Sequence, residues 1–523
     1  MGLNPIAGLT GKALSILQLT LIVAPSFILF GYNQAGIGGL LTLKDWVKTF
    51  PEIDTVHATG ADKSAKSTLQ GFIVATFVVG AIIGSLLCSW AGERFGRRKC
   101  IFAAGVCCLV GAVLEAASFG LAQFIVGRVL VGIAVGTLSS IVPVWQSETA
   151  GSSNRGRHVV LDGLFICVGY VLESWINFGF YQFRDGAITW RPSIAIGIIF
   201  SVILVLSVYL FPESPRWLLL KNRRSEAAAA ISTLRGLPED SMEVQAEITG
   251  IEMSLEDTAK SDVKFTDMFR MGKDKLLYRF LLCMVLQFYQ QMSGSNLISV
   301  YVPILFEQNL GMSQELSKVL AASAMTFKFF SSFVAFFTID RFGRRAVFMI
   351  SGGGMSACMI VLAICTSMTD NKAAQIVAAV AIFMFNFFVP IGFLGANFLY
   401  CTEVAPLRLR MAMSSLSTAN HWLWNFVVIM VTPVAINTIK WQYYIVFAVI
   451  AGTVTPVVYF FFPETMGRNL EEIDLLFRDS ESVWQTVRFA RHRPIAMPQE
   501  HVRDGEGKGV KPNEIEEKGE ESN

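Results

Sequence analysis

The chain has 523 residues, 53% of them hydrophobic and only 16% charged, with a formal net charge of +2. That much apolar side chain excludes a soluble globular protein of this length; the charge of +2 says nothing about nucleic acid, and no basic stripe interleaved with aromatics argues for binding it, so no nucleic-acid partner is expected. The chain reads as a multi-pass membrane protein.

Twelve apolar runs are long enough to cross a hydrocarbon core, which takes about 20 helical residues. They lie at 18–43, 69–91, 100–119, 122–145, 158–180 and 190–211, then at 277–305, 318–339, 346–367, 374–401, 412–435 and 441–462. The expected domains are an N-terminal segment (1–17), a six-helix bundle (18–211), a linker (212–276), a second six-helix bundle (277–462) and a tail (463–523). No charged n-region with a short apolar core and a cleavage site opens the chain, so the first run is expected to stay as an anchor. Lys and Arg gather in alternate short loops: Arg94, Arg97, Arg98 and Lys99; Arg155 and Arg157; Arg341, Arg344 and Arg345; Arg408 and Arg410. The positive-inside rule makes those loops, the linker and both termini cytoplasmic. In the linker, SEAAAAISTLRGL and EVQAEITGIEMSLEDTAK predict short amphipathic helices, and the charged, Gly-rich tail is expected to be disordered after about residue 478. Nine cysteines sit in or beside apolar runs with no CxxC spacing, so neither disulfides nor zinc are expected.

The seventh run carries the polar signal. In QFYQQMSGSNLISVY, Gln287, Gln290, Gln291 and Gly294 recur at i, i+3, i+4 and i+7 and share one helical face. Amides cannot face lipid; a wall of them, both donating and accepting, suits a hydroxyl-rich solute. Asn296 joins that face only if the helix bends, and Ser293-Gly294-Ser295 is the expected bend.

An internal repeat divides the chain. ERFGRR begins at Glu93 and DRFGRR at Asp340; Glu148 precedes NRGR and Glu403 precedes PLRLR; PESPRW begins at Pro212 and PETMGR at Pro463. The offsets of 247, 255 and 251 residues indicate two related six-helix halves.

With GYNQAGIGG, ERFGRRK, GRVLVGIAVG, PVWQSETA, NRGR, PESPRWL, QQMSGSN, DRFGRR and PETMGRNLEEID in this order, the chain resembles the sugar porters of the major facilitator superfamily from Leu19 to Ile473. The resemblance implies an all-α fold of twelve transmembrane helices in two pseudo-symmetric bundles, working by alternating access as a monomer, and length and topology favour the plasma membrane. It also implies a cytoplasmic gate in which Glu93, Arg94, Arg97, Asp340, Arg341 and Arg344 pair with Glu148, Arg155, Glu403 and Arg410, aided by Glu213 and Glu464. The plainer reading of these charges is that they set topology and meet lipid headgroups. Sugar hydroxyls would be held mostly by the second half, at Gln290, Gln291, Asn296, Tyr301, Phe398, His421, Trp422 and Asn425.

Several positions depart from the family's pattern. Val300 replaces a gating Tyr, Phe398 stands where Trp is usual, His421 where an amide is usual, and Gly163 where a sugar-contacting Gln is common. Lys328 replaces an Asn. A lysine at mid-membrane costs a few kcal/mol unless paired or hydrated, which leaves two readings: a carboxylate solute such as a galacturonate- or quinate-like acid, or a lysine held by hydroxyls and carbonyls beside a neutral sugar or polyol. Family members driven by protons carry Asp beside a fourth-span Arg; here the pair is Asn33 and Arg128. An amide takes no proton, so facilitated diffusion is the simplest reading. Proton symport through Glu173 near Arg128, or through His421, is the alternative. Glu115 is expected at the outer interface. No nucleophile elbow, phosphate loop or metal spacing is present, so neither an enzyme nor a cofactor is expected. A non-transporting sugar sensor is the remaining alternative, disfavoured by the modest tail.

Overall fold

A computed structural model describes residues 9–492 apart from 42, 56, 150–154, 184, 260–264, 369–370, 407–408 and 469. Within a bilayer every backbone amide must be satisfied inside its own segment, and the chain answers with helices. The first six spans are Gly11–Ala35, Ala65–Phe95, Arg97–Ala116, Leu121–Thr149, Leu161–Tyr181 and Arg191–Leu210. The eighth to twelfth are Gln314–Ile339, Arg344–Ser367, Lys372–Val404, Arg410–Ile436 and Gln442–Phe461. The seventh is split into Leu276–Met292 and Ser295–Ile304, so the crossings number twelve. The first helix starts earlier than its apolar run and ends at Ala35, because Gly36, Gly38 and Gly39 turn the chain there.

The basic loops are single-glycine corners. Gly96 (φ +91°) separates the second and third spans and Gly343 (φ +84°) the eighth and ninth. The left-handed backbone alone favours glycine. A second reason is space, since a Cβ would lie 2.6 Å from Glu213 Oε2 at Gly96 and 2.5 Å from Glu464 Oε2 at Gly343.

Within the first half, backbones touch through glycine, the usual means of close helix contact in membranes. A side chain at Gly31 would meet the Ile166 carbonyl at 2.1 Å, and one at Gly132 the Phe77 carbonyl at 2.0 Å. Between halves, the second span packs on the eleventh and the fifth on the eighth. Gly163 lies at such a junction: a Cβ there would sit 2.9 Å from the Leu394 carbonyl carbon and 3.0 Å from Gly395 N, at the bend of the tenth span. The missing glutamine of the fifth span is thus a place where no side chain fits.

The linker forms helices at Pro215–Leu220, Arg224–Arg235 and Met242–Ala259, with a small core of Trp217, Ala227, Ile231, Val244 and Ile248. The tail departs from expectation. Leu470–Asp479 and Val483–His492 are helical, the second burying Val487 and Ala490 and setting Trp484 5.2 Å from Phe461. Val483, Val487 and Ala490 recur at i, i+4 and i+7, which gives that helix one apolar face. The Gly-rich stretch that suggested disorder lies beyond it, outside the described residues.

Candidate solute site

The seventh span stops at Met292 and restarts at Ser295, with Gly294 at φ +94°. Methyl Cε of Met359 would be 2.4 Å from any Cβ at Gly294. The break brings Asn296 round so that its amide donates to Gln291 Oε1. Gln291 donates in turn to His421 Nε2 at 2.7 Å, while His421 Nδ1 lies 2.9 Å from Gln290 Oε1 and 3.1 Å from Gln287 Oε1. Asn397 of the tenth span donates to Gln287 at 3.0 Å and to Gln290. All six side chains are buried. Nδ1 lies near two acceptors and, at 3.1 Å, the Gln291 amide nitrogen, while Nε2 faces that same donor at 2.7 Å, an arrangement that suits the neutral ring with its proton on Nδ1.

An aromatic wall closes around this network. Phe398 lies 5.8 Å and Phe30 6.0 Å from the His421 ring, and Phe30 packs 4.9 Å from the Trp422 ring, tilted by 39°. Trp422 Nε1 donates across the halves to Ser139 Oγ at 3.3 Å. Asn425 is fully buried one turn along from His421. Tyr301 is tied to its own half, its hydroxyl donating to the Ile429 carbonyl at 3.0 Å. Lys328 is 1% exposed, donates to Ser299 Oγ at 2.7 Å and stands 4.6 Å over the Tyr170 ring. Among the described residues it forms no ion pair with a carboxylate, and it does not touch His421.

Sequence reasoning missed Asn397, Ser299 and Tyr170. Asn397 carried a signal, being with Asn386 one of two amides in the apolar middle of the tenth span; Ser299 did not, because a serine serves equally well bonded to its own helix's carbonyls, and Tyr170 acts through its ring.

The coupling residues are not assembled as expected. Asn33 turns back on its helix, donating to the Leu29 carbonyl at 2.8 Å. Arg128 lies 4.8 Å from the Phe77 ring and faces Glu115, which is buried rather than interfacial. Glu173 bonds Asn177 and Ser174 and faces Lys318 of the eighth span, not Arg128. Lys318 itself donates to the Gly39 carbonyl at 2.8 Å and lies 4.8 Å over the Tyr181 ring.

At the opposite end the charged motifs form two matching clusters. Arg97 holds Glu148 through two bonds of 2.9 Å, and Arg344 holds Glu403 at 3.0 Å. Glu213 accepts from the Arg97 and Arg98 backbone N–H groups at 3.0 and 3.1 Å; Glu464 accepts from those of Arg344 and Arg345 at the same two distances. A carboxylate at a helix N-terminus is the favourable arrangement. Burial pushes the Glu213 carboxyl above the ordinary range, against the pull of those N–H groups and of Arg97. These pairs lie within halves, and Glu148 of the first half also faces Arg410 of the second. Arg94 lies over Trp90 and Phe95, and Arg341 over Phe342, so neither is in the buried clusters, and Glu93 faces Arg97 without bonding it. The side chains of Arg155 and Asp340 are outside the described set.

The profile of the family described as Sugar (and other) transporter matches residues 19–477. The chain belongs to the sugar porter family. This porter is 33% identical over 498 residues to the sugar transporter STL1 of Saccharomyces cerevisiae, covering 94% of this chain and 86% of that one. It is 29% identical to the high-affinity fructose transporter ght6 of Schizosaccharomyces pombe, covering 92% and 90%. The fold matches the proton:xylose symporter XylE of the major facilitator superfamily with a TM-score of 0.76 at 23% identity, over 88% of this porter and 99% of that chain. Family and fold make it an integral, multi-pass membrane transporter rather than an enzyme.

Proposed function

We propose that this porter carries a neutral monosaccharide or polyol by facilitated diffusion, exposing the amide network of the seventh, tenth and eleventh spans first to one compartment and then to the other. The observation that carries the reading is the buried cluster of Gln287, Gln290, Gln291, Asn296, Asn397 and His421 at the break of a span, between two halves. Such amides exchange their mutual bonds for a solute's hydroxyls at little net cost, because donors and acceptors are replaced in kind. Relatives whose names specify sugar and fructose support the substrate class. Asn33, bonded to its own helix, supports movement without a proton. The basic loops favour cytoplasmic termini, and a monomer in the plasma membrane completes the proposal.

Uptake of labelled D-glucose, D-fructose, D-xylose and D-sorbitol into proteoliposomes, at pH 5.5 and 7.5 without a membrane potential, tests this. Saturable counterflow, equal at the two pH values, is expected; accumulation above equilibrium under an imposed proton gradient would replace uniport by symport. The second reading is a sugar-acid carrier, favoured by Lys328, which has a hydroxyl and a ring but no carboxylate. Preference for D-galacturonate over D-glucose that disappears in Lys328→Asn would establish it.

A further inference from the structure

The second tail helix, Val483–His492, has two unlike faces. Its inner face buries Thr486, Val487 and Ala490, and Arg468 fastens it by donating to the Ala490 carbonyl at 3.1 Å. Thr486 Oγ1 lies 2.6 Å from Ser480 Oγ, which accepts from Lys275 at 3.1 Å. Lys275 precedes the seventh span, so the helix is tied to the base of the span that carries the glutamines. The outer face carries Trp484, 57% exposed, and Arg488 one turn on, also exposed. The sequence adds Arg491 and Arg493, with no acidic residue between Glu481 and Glu500.

An indole that open to water is unfavourable unless something covers it, and its neighbours point to the cover. Trp484 packs 5.2 Å from Phe461 and 5.9 Å from Phe460, which end the twelfth span and are themselves 41% and 48% exposed. Around the same end Trp90, Phe95, Tyr209, Phe342 and Tyr459 are exposed, with Arg94 over Trp90, Arg98 over Tyr209, Arg341 over Phe342 and Arg345 over Tyr459. Aromatic rings at the ends of spans mark the headgroup level of a bilayer. The tail therefore adds a ring to a belt that the spans have already drawn, and the basic face beside it matches the negative charge of an anionic leaflet.

We propose that Val483–His492 is an interfacial anchor docked on anionic phospholipid of the leaflet at the basic end, Trp484 lying among the headgroups and Arg488 pairing with their phosphates. The occupant is lipid rather than a second protein, because the helix continues the lipid-facing surface of the twelfth span and its charge has the sign that such headgroups attract. The anchor needs only a chain that crosses a bilayer and is indifferent to which solute it carries.

The test uses the purified porter in phosphatidylcholine vesicles containing about 30% of either brominated phosphatidylcholine or brominated phosphatidylserine, with the bromines near the headgroup, and reads tryptophan quenching at about 0.1 M and about 1 M salt. The chain has ten tryptophans, so the signal of Trp484 is the difference between wild type and Trp484→Phe. Expected is quenching of Trp484 by both lipids, about two- to fivefold stronger with brominated phosphatidylserine at the lower salt, with the preference gone at the higher salt. Arg488→Gln alone should about halve the preference, and Arg488→Gln with Arg491→Gln and Arg493→Gln should abolish it, each background being read with and without Trp484→Phe. A Trp484 that neither lipid quenches, as on a helix covered by protein, overturns the anchor. Equal quenching by the two lipids at the lower salt overturns it too, and so does a preference that survives the triple substitution.

Discussion

The two ends of the porter are closed by different chemistry. At the end with the basic loops each half repeats one device, an arginine on a glutamate and a second carboxylate on the helix that follows the glycine corner, with the same two distances in each copy. At the other end no such device repeats among the described residues. Lys318 reaches from the eighth span to the Gly39 carbonyl and the Tyr181 ring, Trp175 donates to Thr326 at 2.9 Å, and Tyr181 donates to Gln314 at 3.3 Å. The repeated contacts join spans of one half; the unrepeated ones join the halves. Buried ion pairs therefore stiffen each bundle, and weaker contacts, cheap to break and remake, hold the bundles together. That division is what rocking of rigid bodies requires.

The comparison breaks most readily at the ion pairs. Arg97→Ala or Arg344→Ala leaves a buried carboxylate without its partner, a loss of about 3–5 kcal/mol. Both should lower the thermal unfolding midpoint sharply and reduce the yield of monodisperse protein in detergent; a midpoint within 2 °C of wild type would contradict the stiffening role. Gly343→Ala comes next, costing more than about 1 kcal/mol through its positive φ and the carboxylate it would strike. Lys318→Gln should lower the unfolding midpoint by less than either arginine substitution and loosen the seam. Removing a cation–π contact worth about 0.5–2 kcal/mol raises the labelling rate of a cysteine placed at Ser174, in the small cavity beside Lys318, by about 2- to 30-fold. The smallest effect belongs to Arg94→Ala with Arg341→Ala. Both side chains rest on exposed rings, so stability and flux should stay within about twofold of wild type.

How much of this was legible follows from the kind of signal each residue gives. The twelve-helix fold was written in apolar runs, and the amides of the seventh span stood out because a helix in lipid must hide them on one face. The repeat located both clusters of charge. It could not say that Arg97 rather than Arg94 turns inward, because that depends on where the glycine corner restarts the helix: three residues of register decide between a buried pair and a surface ring. Lys318 escaped notice because a lysine near the end of a span is ordinary, and only its neighbours, Gly39 and Tyr181, give it a task. Glu173 was read as a partner of Arg128 on the assumption that charges inside a membrane find each other, yet the two spans turn them to different neighbours, Lys318 and Glu115.

The interruption at Gly294 has a mechanical corollary. A continuous helix transmits any tilt along its whole length; one interrupted at Ser293-Gly294, with Gly294 at φ +94°, does not. Ser295–Ile304 is a separate ten-residue lever with its own pivot, carrying Asn296 near the fulcrum and Val300 and Tyr301 toward the tip. In the proposed carrier such a lever can swing over the solute without moving Gln290 and Gln291, which lie on the other side of the break.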